Sequence, residues 1–158
     1  MSDFLLALKL IHVLGAAVLF GTGLGIAFFM WMAHRTRDPA AIAHTARIVV
    51  IADAVFTATA VIMQPLSGVL LARAMNHSLA EPWIAASLVL YGAIGLCWLP
   101  VVWIQIKLRD LAAEAARTSS DLPARYYELF RIWFWLGWPA FLGVIAIFAL
   151  MIFRPALW

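Results

Sequence analysis

Lys9 and His12 stand three residues apart near the start of a long apolar run. An imidazole at such a depth has two uses. It hydrogen-bonds a neighbouring helix, or it ligates a metal, above all the iron of haem. It needs one of them, because an unpaired buried polar group costs about 1–3 kcal/mol. Lys9, one turn away, can meet a propionate or a lipid phosphate at the surface. A second set begins at Asp53. Asp53, Thr57, Ala60, Gln64 and Ser67 recur at steps of four, three, four and three, so they share one helix face. That stripe is either a seam of interhelical hydrogen bonds or a proton or ion site built on Asp53, Thr57 and Gln105. Asp53 is also close enough to Arg47 to snorkel toward that boundary. Ser87, Tyr91, Trp98 and Gln105 form a third polar face.

Small and kinking residues accompany these groups. Gly15, Ala16, Gly21, Gly23 and Gly25 leave little side-chain volume after His12. The Gly21-x-x-x-Gly25 spacing permits close helix contact, and it equally lets a flat ligand lie against the backbone. Pro65 lacks an N–H and disturbs the carbonyl four residues earlier, that of Val61, so a kink is expected beside Gln64. Pro139 should bend the last helix.

The elements that must position these groups are membrane spans. The chain has 158 residues, 66% hydrophobic and 12% charged, which is far more apolar than a soluble domain of one-domain length. Four apolar runs, Leu10–Ala33, Ile48–Ala72, Pro82–Ile106 and Ile132–Phe153, each reach the roughly 20 residues a crossing helix needs. Asp53 is the one formal charge inside them. Helices rather than barrel strands are indicated, since the runs do not alternate. The expectation is all-α: one transmembrane domain, 1–158, a polytopic four-helix bundle with spans at about 5–33, 44–74, 82–110 and 126–154. The first span lacks the basic lead of a cleaved signal peptide. Ala112–Leu122 reads as a loop, with Asp121 as N-cap of the fourth helix and Pro123 in its first turn. Asp38-Pro39 and Glu81-Pro82 read as the openings of the second and third. The run Tyr126, Tyr127, Phe130, Trp133, Phe134, Trp135, Trp138 reads as an interfacial aromatic belt. The single cysteine excludes an internal disulfide and a Cys-based metal cluster.

Charge placement sets orientation. The first connection carries three basic residues (Arg35, Arg37, Arg47) and the third carries five (Lys107, Arg109, Arg117, Arg125, Arg131), so eight of the 11 lie on one face. That face is expected to be cytoplasmic, with both termini on the outer, periplasmic side of a bacterial inner membrane. His12, Gln64, Ser67, Ser87 and Tyr91 then fall at one level, each roughly 7–15 Å from its outer helix end at 1.5 Å per residue. Asp53, His44, Arg47, Gln105 and Arg131 form a second level nearer the cytoplasm.

Longer stretches carry a resemblance. Leu8-Lys9-Leu10-Ile11-His12-Val13-Leu14-Gly15 with Gly21, Asp53-Ala54-Val55-Phe56-Thr57, and Gln64-Pro65-Leu66-Ser67-Gly68 belong to it. So do Trp98-Leu99-Pro100-Val101-Val102-Trp103-Ile104-Gln105 and Trp133 with Gly137, Pro139 and Ala140. Together they resemble the bacterial integral membrane proteins of domain-of-unknown-function family 2269, a family without an assigned activity. Lys-x-x-His early in the first helix is more distantly similar to HemJ-type protoporphyrinogen oxidases and to CopD-like membrane proteins. That similarity implies a haem role for His12 and Lys9. The HemJ pattern also implies a lysine in the helix that begins near Trp83, and here none occurs before Lys107.

Three functions remain open on these residues. The first is a haem-b-binding redox protein, with His12 as metal ligand and Lys9, Gln64, Ser67, Ser87 and Tyr91 around the cofactor. Met63 is a candidate sixth ligand there, while His44 lies toward the opposite face and His77 in the outer loop. The second is a carrier for a metal ion or small solute, using the Asp53 stripe. The third is a structural or accessory subunit of a membrane complex, with no cofactor. No catalytic residue is assigned. The expected partners are the lipid bilayer and either further copies of the chain or other membrane subunits. No motif supports nucleic-acid binding.

Overall fold

A computed structural model describes residues 3–157. The chain is an up-and-down bundle with four helices long and apolar enough to cross a membrane. α1 is Asp3–Thr36. The second crossing is composite: α2, Pro39–Ala52, passes through a π-helical turn, Asp53–Thr57, into α3, Ala58–Ala74. α4 is Pro82–Arg117 and α5 is Ala124–Phe153. The start of α1, the end of α5 and the Met75–Glu81 connection lie at one end of the bundle, here the termini end. The other two connections lie at the opposite, basic end.

Local chemistry explains most boundaries. Asp38 caps α2, its Oδ1 accepting from the Ala40 amide at 2.9 Å, and Pro39 fills the first turn, where no N–H is needed. α4 ends on Ser119 in the left-handed region at φ 52°, and the Ser120 amide reaches back to the Ala115 carbonyl at 3.0 Å. Asp121 does not cap α5. Pro123 occupies that position, and no side chain caps the helix. The expected loop from Ala112 is also shorter, because α4 runs on to Arg117. Its alanine-rich end is helix-favouring, and Ala112 and Ala115 are buried there.

The packed core sits entirely in the basic half. Ile26, Met30 and Ala33 of α1 meet Ile42, Ala46 and Val49 of α2, Ile104, Leu108, Ala112 and Ala115 of α4, and Tyr126, Leu129, Phe130 and Trp133 of α5. The alanines let backbones approach closely, which is how helices associate when lipid removes the hydrophobic drive. The aromatic start of α5 therefore splits. Tyr126, Phe130 and Trp133 enter the core, while Tyr127, Trp135 and Trp138 stay exposed. Trp31 under Arg35 and Trp103 under Lys107 mark the same end, with cation-to-ring distances of 5.1 and 5.8 Å. Toward the termini end α1 packs on α3 and α4 on α5, and the two pairs stand apart except where side chains such as Phe20, stacked on Phe141 at 5.2 Å, bridge them.

Candidate functional site

That separation leaves a cavity of about 800 Å³ in the termini half, lined by Lys9, His12, Gln64, Gly68, His77, Trp83, Ser87, Tyr91 and Arg154 among many apolar groups. Its size falls in the range of small-molecule sites, about 300–1,000 Å³. Five of the six residues expected around a cofactor, Lys9, His12, Gln64, Ser87 and Tyr91, line it, and Ser67 is bonded to His12.

Two polar contacts brace α1 to α3 at its wall. Gln64 Nε2 donates to the His12 carbonyl at 2.8 Å. Ser67 Oγ donates to the Met63 carbonyl at 2.7 Å, so its lone pair accepts from His12 Nδ1 at 2.9 Å. This network fixes the tautomer and leaves Nε2 with a lone pair and no partner among the described residues. Two glycines make the brace possible. A Cβ at Gly15 would collide with Gln64 Nε2, and one at Gly68 would stand 3.1 Å from His12 Cε1. Gly21 and Gly25 do not serve the close helix contact that their spacing allowed, because a Cβ at Gly21 would meet nothing within 4 Å and one at Gly25 only Phe29 of the same helix at 3.9 Å.

His77 joins the same cavity, although its place in a connection had set it apart. Asn76 in the left-handed region (φ 57°) turns the chain, and the His77 amide bonds back to the Ala72 carbonyl at 2.9 Å. Its Nδ1 donates to the Glu81 carboxylate at 3.0 Å. The Ser78 amide and Trp83 Nε1 also donate to Glu81, each at 3.0 Å. Desolvation pushes the Glu81 carboxyl up, but the His77, Ser78 and Trp83 hydrogen bonds outweigh it and hold it below its ordinary value. His77 Nε2, like His12 Nε2, makes no hydrogen bond among the described residues. Arg154 lies 5.2 Å from the Trp83 ring centre, at the same rim as Lys9. Neither cation has an ion-pair partner among the described residues.

Deeper in the bundle Tyr91 donates to the Val61 carbonyl at 2.7 Å, the very group that Pro65 frees. Tyr91 also lines a second cavity of about 310 Å³ in mid-bundle, together with Asp53, Thr57, Trp98, Gln105 and Trp133. Asp53, Thr57, Ala60, Gln64 and Ser67 are all buried, so the stripe faces inward along its length. Asp53 does not snorkel. Its carboxylate accepts from Trp98 Nε1 at 3.5 Å and, with the amide oriented by its partners, from Gln105 Nε2 at 3.1 Å; Gln105 Oε1 accepts from Trp133 Nε1 at 3.3 Å. The π turn carries both Asp53 and Thr57, a wider winding frequent at functional positions. His44, Arg47 and Arg131 are exposed and do not join this level. Met63 is 42% exposed and lines neither cavity, which removes it as a ligand to a group held there.

A family model described as predicted integral membrane protein (DUF2269) matches residues 6–155. No curated protein and no solved structure matches the chain significantly.

Proposed function

The chain belongs to the DUF2269 family of integral membrane proteins, and from that premise we propose that it binds haem b in the cavity of the termini half and serves redox chemistry there. One observation carries this reading. Two imidazoles, His12 and His77, line one apolar cavity, and each has Nδ1 committed to a partner and Nε2 free. A haem ligand needs that arrangement, because the anchored nitrogen fixes the tautomer and the ring plane. A packing brace accounts for Nδ1 but leaves Nε2 unused. His12 and His77 would hold the iron, and Lys9 and Arg154 at the rim would meet the propionates. Haem supplies one-electron chemistry when bound. The protein's own part is to keep the site apolar, orient the imidazoles and exclude water. Gly68 leaves His12 room to lie against α3. Protoporphyrinogen oxidation is not proposed, since the helix from Trp83 offers no lysine at depth.

The excess of basic residues at the opposite end supports placing this cavity on the periplasmic side of a bacterial inner membrane. A metal-ion carrier has less support, because the described residues contain no group of three His, Cys, Asp or Glu able to hold an ion. The test is a titration of the purified apo-protein with haem, followed by visible absorbance. Wild type should saturate at one haem per chain. His12→Ala should lose most of the affinity, and His77→Ala should change the coordination spectrum. Titration curves for both variants that match wild type would overturn the reading.

A further inference from the structure

The mid-bundle cavity has a different chemistry from the first. Asp53 is 4% exposed and faces it from the π turn. The side chains that meet the carboxyl group all offer donors: Trp98 and Gln105 by N–H, and the Thr57 hydroxyl beside them. No Lys, Arg or His pairs with it among the described residues. Ionising a carboxyl group alone at membrane depth is expensive, and a cationic partner offsets that cost. A second group in the same turn has unused acceptor capacity. Thr57 is 5% exposed, lines the same cavity, and nothing donates a hydrogen bond to its Oγ1. The remaining wall is apolar and includes the rings of Trp98, Trp133 and Trp138. Ring faces attract cations, and their apolar surface suits an apolar body.

We propose that this cavity takes a primary ammonium group carried on a small apolar or aromatic body. The ammonium would pair with Asp53 and donate to Thr57 Oγ1, leaving the body against the tryptophans. A bare metal ion fits poorly, because about 310 Å³ of mainly apolar wall offers too few oxygens. The proposal concerns a separate cavity and stands or falls apart from the haem reading.

The test uses the purified full chain in detergent and tryptophan fluorescence, since tryptophans form the wall. Three probes share one body: phenethylammonium, its trimethylated analogue and neutral phenethyl alcohol. Phenethylammonium should give a saturable change and bind at least tenfold more tightly than the alcohol. Asp53→Asn should weaken it at least tenfold. Thr57→Val should weaken it several-fold and remove the preference for the primary over the trimethylated form. No saturable response, an alcohol that binds equally well, or Thr57→Val without effect on that preference would overturn the proposal. The last two comparisons decide it even where Asp53→Asn does not fold.

Discussion

The two halves of this bundle are built by opposite means. In the basic half Leu108, Ile42, Met30 and Tyr126 are almost wholly buried and four helices close on one apolar cluster. In the termini half the helices pair off, and α1 and α3 are joined by the hydrogen bonds of His12, Gln64 and Ser67 beside a cavity. Between them lies the π turn with Asp53. One half supplies rigidity by close packing, as membrane helices do with small residues. The other gives up packing and leaves polar groups facing a space. A membrane protein keeps such groups at depth at a cost, which is why the open half is where a bound molecule is to be sought.

The sharpest way to break this comparison is to truncate an apolar side chain in each half. Leu108→Ala should cost about 2–5 kcal/mol in a reversible unfolding assay, whereas Ile147→Ala, beside the open cavity, should cost less than about 1 kcal/mol. Equal losses would mean that the halves are packed alike. Glycines give a test of opposite signs. Gly15→Ala and Gly68→Ala press on Gln64 and His12 and should cost about 1–3 kcal/mol. Gly21→Ala meets open space and should raise stability by up to about 1 kcal/mol through helix propensity. Tyr91→Phe strips the Val61 carbonyl of its partner. A loss of roughly 0.6–1.7 kcal/mol is expected, the range of hydrogen bonds between membrane helices.

Smaller effects belong to the ends. Ser119→Gly relieves a left-handed conformation and should add about 0.5–1 kcal/mol to the thermal stability of the basic end. At the termini end the Glu81 carboxyl lies below its ordinary value. Its contribution is therefore present above the usual carboxylate range and is lost as pH falls through the lowered folded value. Trp83 fluorescence should change over that acid range in wild type, and Glu81→Gln should flatten the change.

Some of this was legible in the sequence for clear physical reasons. The four crossings follow from uninterrupted apolar length, and the inward face of Asp53, Thr57, Gln64 and Ser67 follows from helical period. Pro65 announces that the Val61 carbonyl is free. It does not say who fills it, because the rotation of α4 about its axis leaves no trace in its own residue order. The aromatic run of α5 is misleading by itself, since Tyr126 and Trp133 look like interfacial anchors until α4 is seen to run on to Arg117 and pack against them. His77 was passed over because a connection seems remote from a pocket. The turn at Asn76 folds it back, and Glu81, four residues on, was the signal of an anchored imidazole. The π turn has no marker in the residues Asp53–Thr57. The mid-bundle cavity depends on helix spacing that only the assembled bundle sets.

The most direct measurement is a reduced-minus-oxidised visible spectrum of the full chain purified from cells supplied with haem. The account predicts a haem b spectrum at one haem per chain, six-coordinate in wild type and altered by His77→Ala. A folded wild-type protein that carries no haem absorbance from such cells would contradict it.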